Sequence, residues 1–246
     1  MYMGYKELFL YELYIYTNYY LKGTSMGIFD KFKKKIEKEE PKSEEVVMDG
    51  WKAIEAECLK LYPGQTNPKH YGTLISWRLG GNDPLDGISI YDGGDYYHFV
   101  TYGLSELYEK EFKNKEYSGY GFELTVKLKK DGLEEEEAAI RGMCGILQSI
   151  ARLTYNEGEI FQPDEYIYTG QTSGMDPMGK SLITGFITQL DKLGEIDTPN
   201  GKLQFVELIG VTDAELKAII DKKLTVVELF ERLGSECTDY KRESLF

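Results

Sequence analysis

The sequence predicts an α+β fold in which a mixed, largely antiparallel β-sheet is flanked by helices. Three observations support this fold class. Apolar residues alternate with polar ones mainly in the middle of the chain, whereas helical periodicity lies before and after that region. The tetrapeptide TPNG joins two strand-like runs, as a hairpin turn does. Helices and strands do not alternate regularly, which argues against a parallel sheet of βαβ units.

The N-terminal region, residues 1–42, is predicted to be an extension and linker that ends beside Pro41. Residues 1–25 are too short and too charged for a spanning helix, and they lack the pattern of a secretory signal. Met26 has the features of a natural start, so residues 1–25 are interpreted as an upstream extension of the reading frame. The alternative is an amphipathic segment that lies on a membrane or a partner. The domain is expected to occupy residues 43–246.

The first helix is predicted over residues 44–61. Ser43 is suited to the N-cap, and Glu44 and Glu45 follow in the first turn, where the helix dipole favours carboxylates. Apolar residues recur at helical spacing at Trp51, Ile54, Cys58 and Leu61. The segment LYPGQTNP, with two prolines and a glycine, then ends the helix.

Strands are predicted after this helix. Ile75, Trp77 and Leu79 alternate, a second strand contains ISI at 88–90, and a third covers residues 96–102. The clearest strand is YGFELTVKL, residues 120–128. Its apolar side chains point to one face, at Tyr120, Phe122, Leu124, Val126 and Leu128. Its polar side chains point to the other, at Glu123, Thr125 and Lys127.

A long helix is predicted over residues 133–155, because apolar residues share one face and Glu134–Glu137 stand at its start. The segment EYIYT predicts a short strand. Residues 182–188 are ambiguous between helix and strand. In TPNG, Asn200 and Gly201 suit a two-residue type I′ turn between EID and KLQFVELIG.

The C-terminal part carries two capping boxes, Thr212–Glu215 and Thr225–Glu228. They predict helices over residues 213–222 and 226–233. Gly234 is expected to end the second helix, because glycine readily adopts the left-handed conformation common at helix ends.

Composition excludes several functions. The net charge of −13 argues against nucleic acid and anionic membranes as partners. The chain has two histidines and three cysteines, without metal-ligand spacing or a recognisable triad. Asp83 and Asp86 lie in GGNDPLDG, where turn chemistry explains them without a cation. We therefore expect no catalytic residues, no cofactor and no metal.

The segment GMDPMGKS, residues 174–181, matches the phosphate-binding loop G-x-x-x-x-G-K-[ST]. A true phosphate loop lies between a buried strand and a helix. Here the preceding strand is short and polar, and LITGFITQL is a poor start for a helix. We expect a surface turn that matches the motif by chance. The alternative is a nucleotide-binding enzyme that uses Lys180.

Seven segments together resemble one family. They are LYPGQTNP, LGGNDPLDGISIY, YHFVTYGLSELYEKE, SGYGFELTVKL, IARLTYNEGEIFQP, TPNGKLQFVELIGVTDAEL and TDYKRESLF. In this order and at similar spacing, they resemble the suppressor of fused domain over about residues 48–246. The resemblance implies a single mixed α/β domain that binds proteins and has no catalytic machinery.

The resemblance also implies a role. Animal members restrain a transcription factor by clamping an extended peptide between this domain and a second one. Single-domain bacterial relatives are associated with immunity proteins of polymorphic toxin systems. The expected function is therefore a bacterial, cytoplasmic immunity protein, monomeric when unbound, that binds and neutralises a basic toxin. The alternative is an adaptor or regulator that sequesters another protein.

The resemblance places the partner-binding surface at the end of the long helix and in the acidic turn after it. In this sequence those positions are Leu153 and Tyr155, followed by Asp164, Glu165 and Tyr166. The family often has an aromatic residue at the Leu153 position, and Pro163 alters the turn. An acidic turn beside exposed tyrosines suits lysine and arginine side chains on a partner.

Overall fold

The fold is built from seven strands and four helices within residues 47–75, 77 and 80–246, which the computed structural model describes. The strands are β1 (Lys69–Gly72), β2 (Gly87–Asp92), β3 (Tyr96–Tyr102), β4 (Tyr117–Lys129), β5 (Tyr166–Ile167), β6 (Ile183–Thr198) and β7 (Gly201–Thr212). The helices are α1 (Asp49–Leu61), α2 (Glu136–Glu157), α3 (Asp213–Ile220) and α4 (Val226–Leu233). The predicted extension, residues 1–42, and the predicted cap Ser43 lie outside the described residues.

All seven strands form one sheet, in the order β1-β2-β3-β4-β7-β6-β5. The pair β4–β7 is parallel, and the other five pairs are antiparallel. The strands β1 and β5 therefore lie at the two edges. This arrangement confirms the predicted α+β class with a mixed, largely antiparallel sheet between helices.

One face of the sheet is covered by α2 and is largely apolar. The helix contributes Ala139, Ile140, Met143, Leu147, Ile150 and Ala151 to this core. The sheet contributes Ile88, Ile90, Phe99, Phe122, Leu124, Val126, Leu128, Phe186, Val206 and Leu208. Fully burying a side chain of this size stabilises a protein by about 1.5–3 kcal/mol, so this face supplies much of the driving force for folding.

The opposite face is divided into three parts. At one end α1 packs on the sheet through Ile54 and Cys58, joined by Tyr62 just after the helix. At the other end α3 and α4 pack through Leu216, Ile219 and Leu229. Between these apolar clusters lie Glu123, Thr125 and Lys127, each at most 1% exposed. The sequence placed these three side chains opposite the apolar ones, and the structure shows that this polar face is buried as well.

The first helix begins later than predicted. Val47 and Met48 precede it without helical structure, and Met48 forms no side-chain cap. At Gly50 the chain passes so close to another segment that a Cβ atom would lie 2.1 Å from the Glu106 carbonyl oxygen. The start of α1 is therefore set by a tertiary contact, which propensity alone does not report.

The predicted strand at Ile75 and Trp77 is wrong. Ile75 lies in a bend and is 57% exposed, and Trp77 has 3₁₀ geometry. Leu79 lies outside the described residues. The edge strand is instead β1, which pairs with β2. The backbone N–H and C=O groups of a strand need hydrogen-bond partners on a neighbouring strand. The position beside β2 is already occupied by β1, so Ile75 and Trp77 cannot pair there.

The hairpin predicted at TPNG is confirmed, and residues 182–188, left ambiguous by the sequence, fall largely in β6. The predicted type I′ turn is wrong. Thr198 pairs with Gly201, so the central residues are Pro199 and Asn200, and Asn200 has no positive φ. Proline fixes φ near −65°, which excludes a type I′ turn. The Asn200 amide also donates to the carbonyls of Glu106 and Tyr108, at 2.8 Å each.

Both capping boxes are confirmed, as is the left-handed Gly234 that ends α4. The chain then returns to the sheet. The Thr238 N–H donates to the Lys127 carbonyl, and the Thr238 carbonyl accepts from the Lys129 N–H. The Thr238 hydroxyl accepts from the Gly210 N–H of β7 at 2.8 Å. The C-terminal segment is thereby fixed between β4 and β7.

Candidate functional site

An open groove of about 470 Å³ lies beside β5. It is lined by Glu159, Ile160, Phe161, Asp164, Glu165, Tyr166, Ile219 and Val226, a set called the acidic groove below. Three of the five residues predicted for partner binding, Asp164, Glu165 and Tyr166, thus line one surface. The loop from α2 to β5 supplies Asp164 and Glu165 together with Glu159, and Tyr166 is the first residue of β5.

The sheet edge forms part of this groove. The strand β5 has two residues and is the terminal strand of the described sheet. Thr188 on β6 donates its N–H to the Glu165 carbonyl and accepts at its own carbonyl from the Asp164 N–H, at 2.9 Å each. Because alternate residues of an antiparallel strand face the same neighbour, the N–H and C=O of Tyr166 point away from β6. Such an edge can pair with a strand from another protein.

The groove is strongly acidic. Residues 153–179 contain no lysine or arginine and five carboxylates, of which Glu157, Glu159, Asp164 and Glu165 are exposed. The Gln189 amide donates to Asp164 Oδ1 at 2.8 Å, and the Gln162 N–H donates to Glu165 Oε2 at 2.9 Å. Each carboxylate is thus oriented by one neutral donor. This arrangement attracts cationic side chains.

The other wall of the groove is apolar. Ile219 ends the buried side of α3, and Val226 begins α4. Ile160 and Tyr166 add exposed apolar surface, at 40% and 44% of their areas. Sequence reasoning missed Ile219 and Val226, because nothing in their local pattern indicates that α3 and α4 lie beside β5. The groove therefore combines an acidic side with an apolar side.

The remaining predicted residues lie outside the groove lining. The Tyr155 hydroxyl donates to the Gly103 carbonyl at 2.5 Å, and its ring contacts Trp77 and Tyr120 with centroids 5.5 and 5.3 Å away. Leu153 packs, partly buried, against the core beneath α2. These contacts indicate that both residues hold the end of α2 on the domain. Their predicted contact with a partner stays a prediction.

The segment Gly174–Ser181 forms a surface turn around its own carboxylate, as expected. The N–H groups of Met178 and Ser181 donate to Asp176, at 3.1 and 2.5 Å. Burial raises the pKa of Asp176, but these backbone donors outweigh it and the pKa is lowered overall. Residue 183 then begins a strand, whereas a phosphate loop leads into a helix. These N–H groups of the turn are thus engaged by Asp176.

A buried ionic cluster lies between the two apolar parts of the divided face. Lys127 Nζ is 3.0 Å from Asp191 Oδ2, 2.7 Å from Glu207 Oε2 and 3.2 Å from Glu236 Oε2. Asp191 Oδ2 is in turn 3.1 Å from His98 Nε2. Lys127, Asp191, Glu207 and His98 are at most 2% exposed, so they cannot touch a partner. Their role is in the fold.

The protonation of this cluster follows from its surroundings. Burial raises the pKa of Glu207 to about 8, although Lys127 acts in the opposite direction. Burial also raises the pKa of Asp191, but His98 and Lys127 outweigh it and hold that pKa well below its usual range. Glu207 is therefore the carboxyl group that keeps a proton at neutral pH. Asp191 and Glu236 then balance Lys127 and the neighbouring Lys192, which pairs with Glu236 at 2.9 Å.

The described part of the chain contains no group of histidine, cysteine, aspartate and glutamate side chains arranged to hold a metal ion. In the GGNDPLDG loop, Asp83 pairs with Arg152 of α2. Among the same residues, no helix has both the length and the apolar character needed to cross a bilayer.

Comparison with known proteins connects the chain to one family. A family model described as Suppressor of fused protein (SUFU) matches residues 81–243. The human and mouse proteins named Suppressor of fused homolog are each 30% identical to the chain over 180 residues. The match takes in 68% of this chain and 36% of either relative, so the chain spans about a third of the length of these relatives.

Two solved structures share the fold. One, described as the Sufu-Fu complex, superposes with a TM-score of 0.66 at 27% identity and covers 80% of this chain and 92% of that chain. Drosophila Suppressor of Fused superposes with a TM-score of 0.68 at 26% identity and covers 81% of this chain and 52% of that chain. The residues matched by the family model include strands β2 to β7 and every residue that lines the acidic groove.

Proposed function

The chain belongs to the suppressor of fused family, and we propose that it is a non-catalytic domain that binds a protein partner through the acidic groove. The observation that carries this proposal is the combination of three features in one groove. These are an open sheet edge at Tyr166, exposed carboxylates at Asp164 and Glu165, and an apolar wall at Ile219 and Val226.

The geometry suits an extended segment of the partner. Such a segment would add to the edge of β5 through main-chain hydrogen bonds, which supply affinity without sequence preference. Alternate side chains of the segment would point to the same side. Lysine or arginine on one side would meet Asp164 and Glu165, and apolar residues would contact Ile219 and Val226. The net charge of −13 would accelerate the approach of a basic partner at low ionic strength.

The finer proposal is that the chain is a bacterial immunity protein that acts in the cytoplasm. It would neutralise a cognate toxin, such as a nuclease, by covering the basic surface with which the toxin binds its substrate. The support is the resemblance to single-domain bacterial relatives with this association, together with the acidic groove. Neutralisation would be steric and electrostatic, and it needs no catalytic residue in the immunity protein.

A second candidate is an adaptor or regulator that sequesters a regulatory protein. The observation that favours it is the similarity to the solved Sufu-Fu complex. This chain covers 92% of the chain that it matches in that structure. A domain of this size and fold is therefore found in a complex with another protein. The two candidates share the groove and differ in the partner.

Affinity capture with the full chain tests the proposal. Capture from the source organism is carried out at low and high salt, and the partner is then purified for titration. The variant Asp164→Asn/Glu165→Gln removes two groove charges while keeping side-chain size. The matched control, Glu195→Gln/Asp197→Asn, removes two charges from exposed positions at the far end of β6. We expect the groove variant to weaken binding about tenfold or more and the control to bind normally, because charged contacts contribute about 1.5–3 kcal/mol each.

The outcomes separate the candidates. A basic toxin whose activity is blocked by the chain, and which is released as salt rises, supports the immunity role. A regulatory protein held without loss of any enzymatic activity supports sequestration. Equal binding by the groove variant and the control would show that the partner does not use the acidic groove.

A further inference from the structure

Thr188 holds the turn that carries the acidic residues of the groove. It lies on β6 opposite residues 162–165, the acidic turn, and is completely buried. Its backbone N–H donates to the Glu165 carbonyl, and its backbone carbonyl accepts from the Asp164 N–H, at 2.9 Å each. These two bonds would form with any residue at this position except proline.

The Thr188 hydroxyl adds contacts that depend on its side chain. It accepts from the Glu165 N–H at 2.8 Å and lies 2.6 Å from the Gln162 carbonyl, to which it donates. The hydroxyl thus bridges the first and last residues of the acidic turn. A valine would fill the same space and leave the Glu165 N–H and the Gln162 carbonyl without this hydroxyl at a part-buried site, which is unfavourable.

The turn needs such support because its conformation is unusual. Asp164 has a φ of 66°, in the left-handed region that few residues other than glycine adopt. Pro163 precedes it and fixes the backbone on that side. The Glu165 carboxylate folds back onto the Gln162 N–H. The direction of both carboxylates therefore depends on how firmly residues 162–165 are closed.

We propose that Thr188 is a positioning residue that orients the acidic turn for partner binding, an inference that rests on the proposed function of the acidic groove. Thr188 itself touches no partner, since it has no exposed surface. Its hydroxyl fixes the separation between Gln162 and Glu165, and with it the direction of the Asp164 and Glu165 carboxylates. Partner selectivity at the groove is thus set in part by a neutral residue in the core.

The test uses two substitutions at this site and one matched control in the full chain. Thr188→Val removes the hydroxyl, and Thr188→Ser keeps it. The control is Thr184→Val, on the same strand, because the buried Thr184 hydroxyl oxygen has no hydrogen-bond partner within the described residues. Two readouts are measured. One is amide hydrogen exchange at Glu165, and the other is binding of a labelled peptide of alternating arginine and leucine at low salt.

We expect Thr188→Val to accelerate exchange at Glu165 about tenfold, as for loss of one hydrogen bond, and to weaken peptide binding by a similar factor. Thr188→Ser should restore both readouts, and Thr184→Val should change neither. Unchanged exchange in Thr188→Val would overturn the positioning role. Faster exchange with unchanged peptide binding would also overturn the proposal, because closure of the turn would then have no effect on binding. If the unmodified chain does not bind the peptide, the proposed binding mode fails, and the exchange comparison still decides whether Thr188 holds the turn.

Discussion

The two faces of β4 are equally buried and chemically opposite. On one face Phe122, Leu124 and Val126 pack beneath α2 with no polar neighbour among them. On the other face, Glu123 and Lys127 are at most 1% exposed. The comparison teaches that alternation in a strand reports which side chains share a face. It does not report whether the polar face meets water or other parts of the chain.

The polar face is buried by partners that arrive from far along the sequence. Glu123 accepts from Thr101 and from both the N–H and the hydroxyl of Ser105, at 2.6–2.9 Å. Lys127 is surrounded by carboxylates from β6, β7 and the C-terminal segment. Such a network is favourable only while every member keeps its partner. The apolar face has no such dependence, and its stability should be insensitive to pH and salt.

The largest expected effect comes from removing the cation of the buried ionic cluster. Lys127→Met keeps most of the side-chain length and leaves the buried Asp191 carboxylate without its lysine partner. Breaking a buried ion pair in this way costs about 3–5 kcal/mol. Chemical denaturation of the full chain measures the loss in the free energy of unfolding.

The matched control for this substitution is Lys129→Met, two residues along the same strand. Lys129 is 39% exposed in its side chain and pairs with Asp239 at 2.9 Å. Surface pairs contribute about 0–1 kcal/mol, so the control should remain nearly as stable as the unmodified chain. If both variants lose the same stability, the ionic cluster has no special importance and the comparison between the faces fails.

The next largest effect tests the apolar face. Leu124→Ala removes a completely buried side chain beneath α2. The loss of apolar contact and the remaining cavity should cost about 3 kcal/mol. Thermal or chemical unfolding at pH 6 and pH 8 checks the magnitude. The loss should be the same at both values, because Leu124 lies in an apolar core. A loss that changes with pH would link the two faces.

A pH series sharpens the comparison further. The pKa of Glu207 is raised to about 8 in the folded protein, from an ordinary value of 4.5. Between these values the folded state holds a proton that the unfolded state has lost, so stability decreases as pH rises. Between pH 7 and 8 this amounts to about 1 kcal/mol. Glu207→Gln should remove that decrease, as measured by urea unfolding at each pH.

The control for the pH series is Glu195→Gln, which changes an exposed carboxylate on β6. It should leave the slope between pH 7 and 8 unchanged. His98 acts with the opposite sign, because burial lowers its pKa and stability is lost as pH falls below about 6.5. The window above pH 7 therefore isolates Glu207. An unaltered slope in Glu207→Gln would show that another group holds the proton.

Local signals predicted much of the fold. Alternation located β4, hydrophobic periodicity located α2, and the two capping boxes placed the starts of α3 and α4 at the observed residues. Each of these signals acts over a few residues. The errors occurred where contact with a distant segment determines the local structure. The Glu106–Leu107 backbone meets the start of α1, and β1 takes the place at the sheet edge that Ile75 was expected to fill.

The candidate site divides in the same way. The acidic turn with Asp164 and Glu165 is contiguous in sequence, and the family resemblance could point to it. Ile219 and Val226 are brought to the groove by the packing of α3 and α4, more than 50 residues away. Thr188 lies in a segment whose sequence was ambiguous between helix and strand. Its contacts with the turn depend on the pairing of β6 with residues 164–167, which no local pattern reports.

The smallest expected effect concerns α4, the short helix at the end of the divided face. The Thr225 hydroxyl accepts from the Glu228 N–H, and the Glu228 carboxylate accepts from the Thr225 N–H at 2.7 Å. Thr225→Ala removes half of this capping box and should cost about 0.5–1 kcal/mol, whereas Thr225→Ser should retain it. The cap acts on α4 alone, so faster amide exchange should be confined to residues 226–233. Val226, the first residue of this helix, also lines the acidic groove. Equal exchange in the alanine and serine variants would mean that packing against the sheet, rather than the cap, holds this wall of the groove.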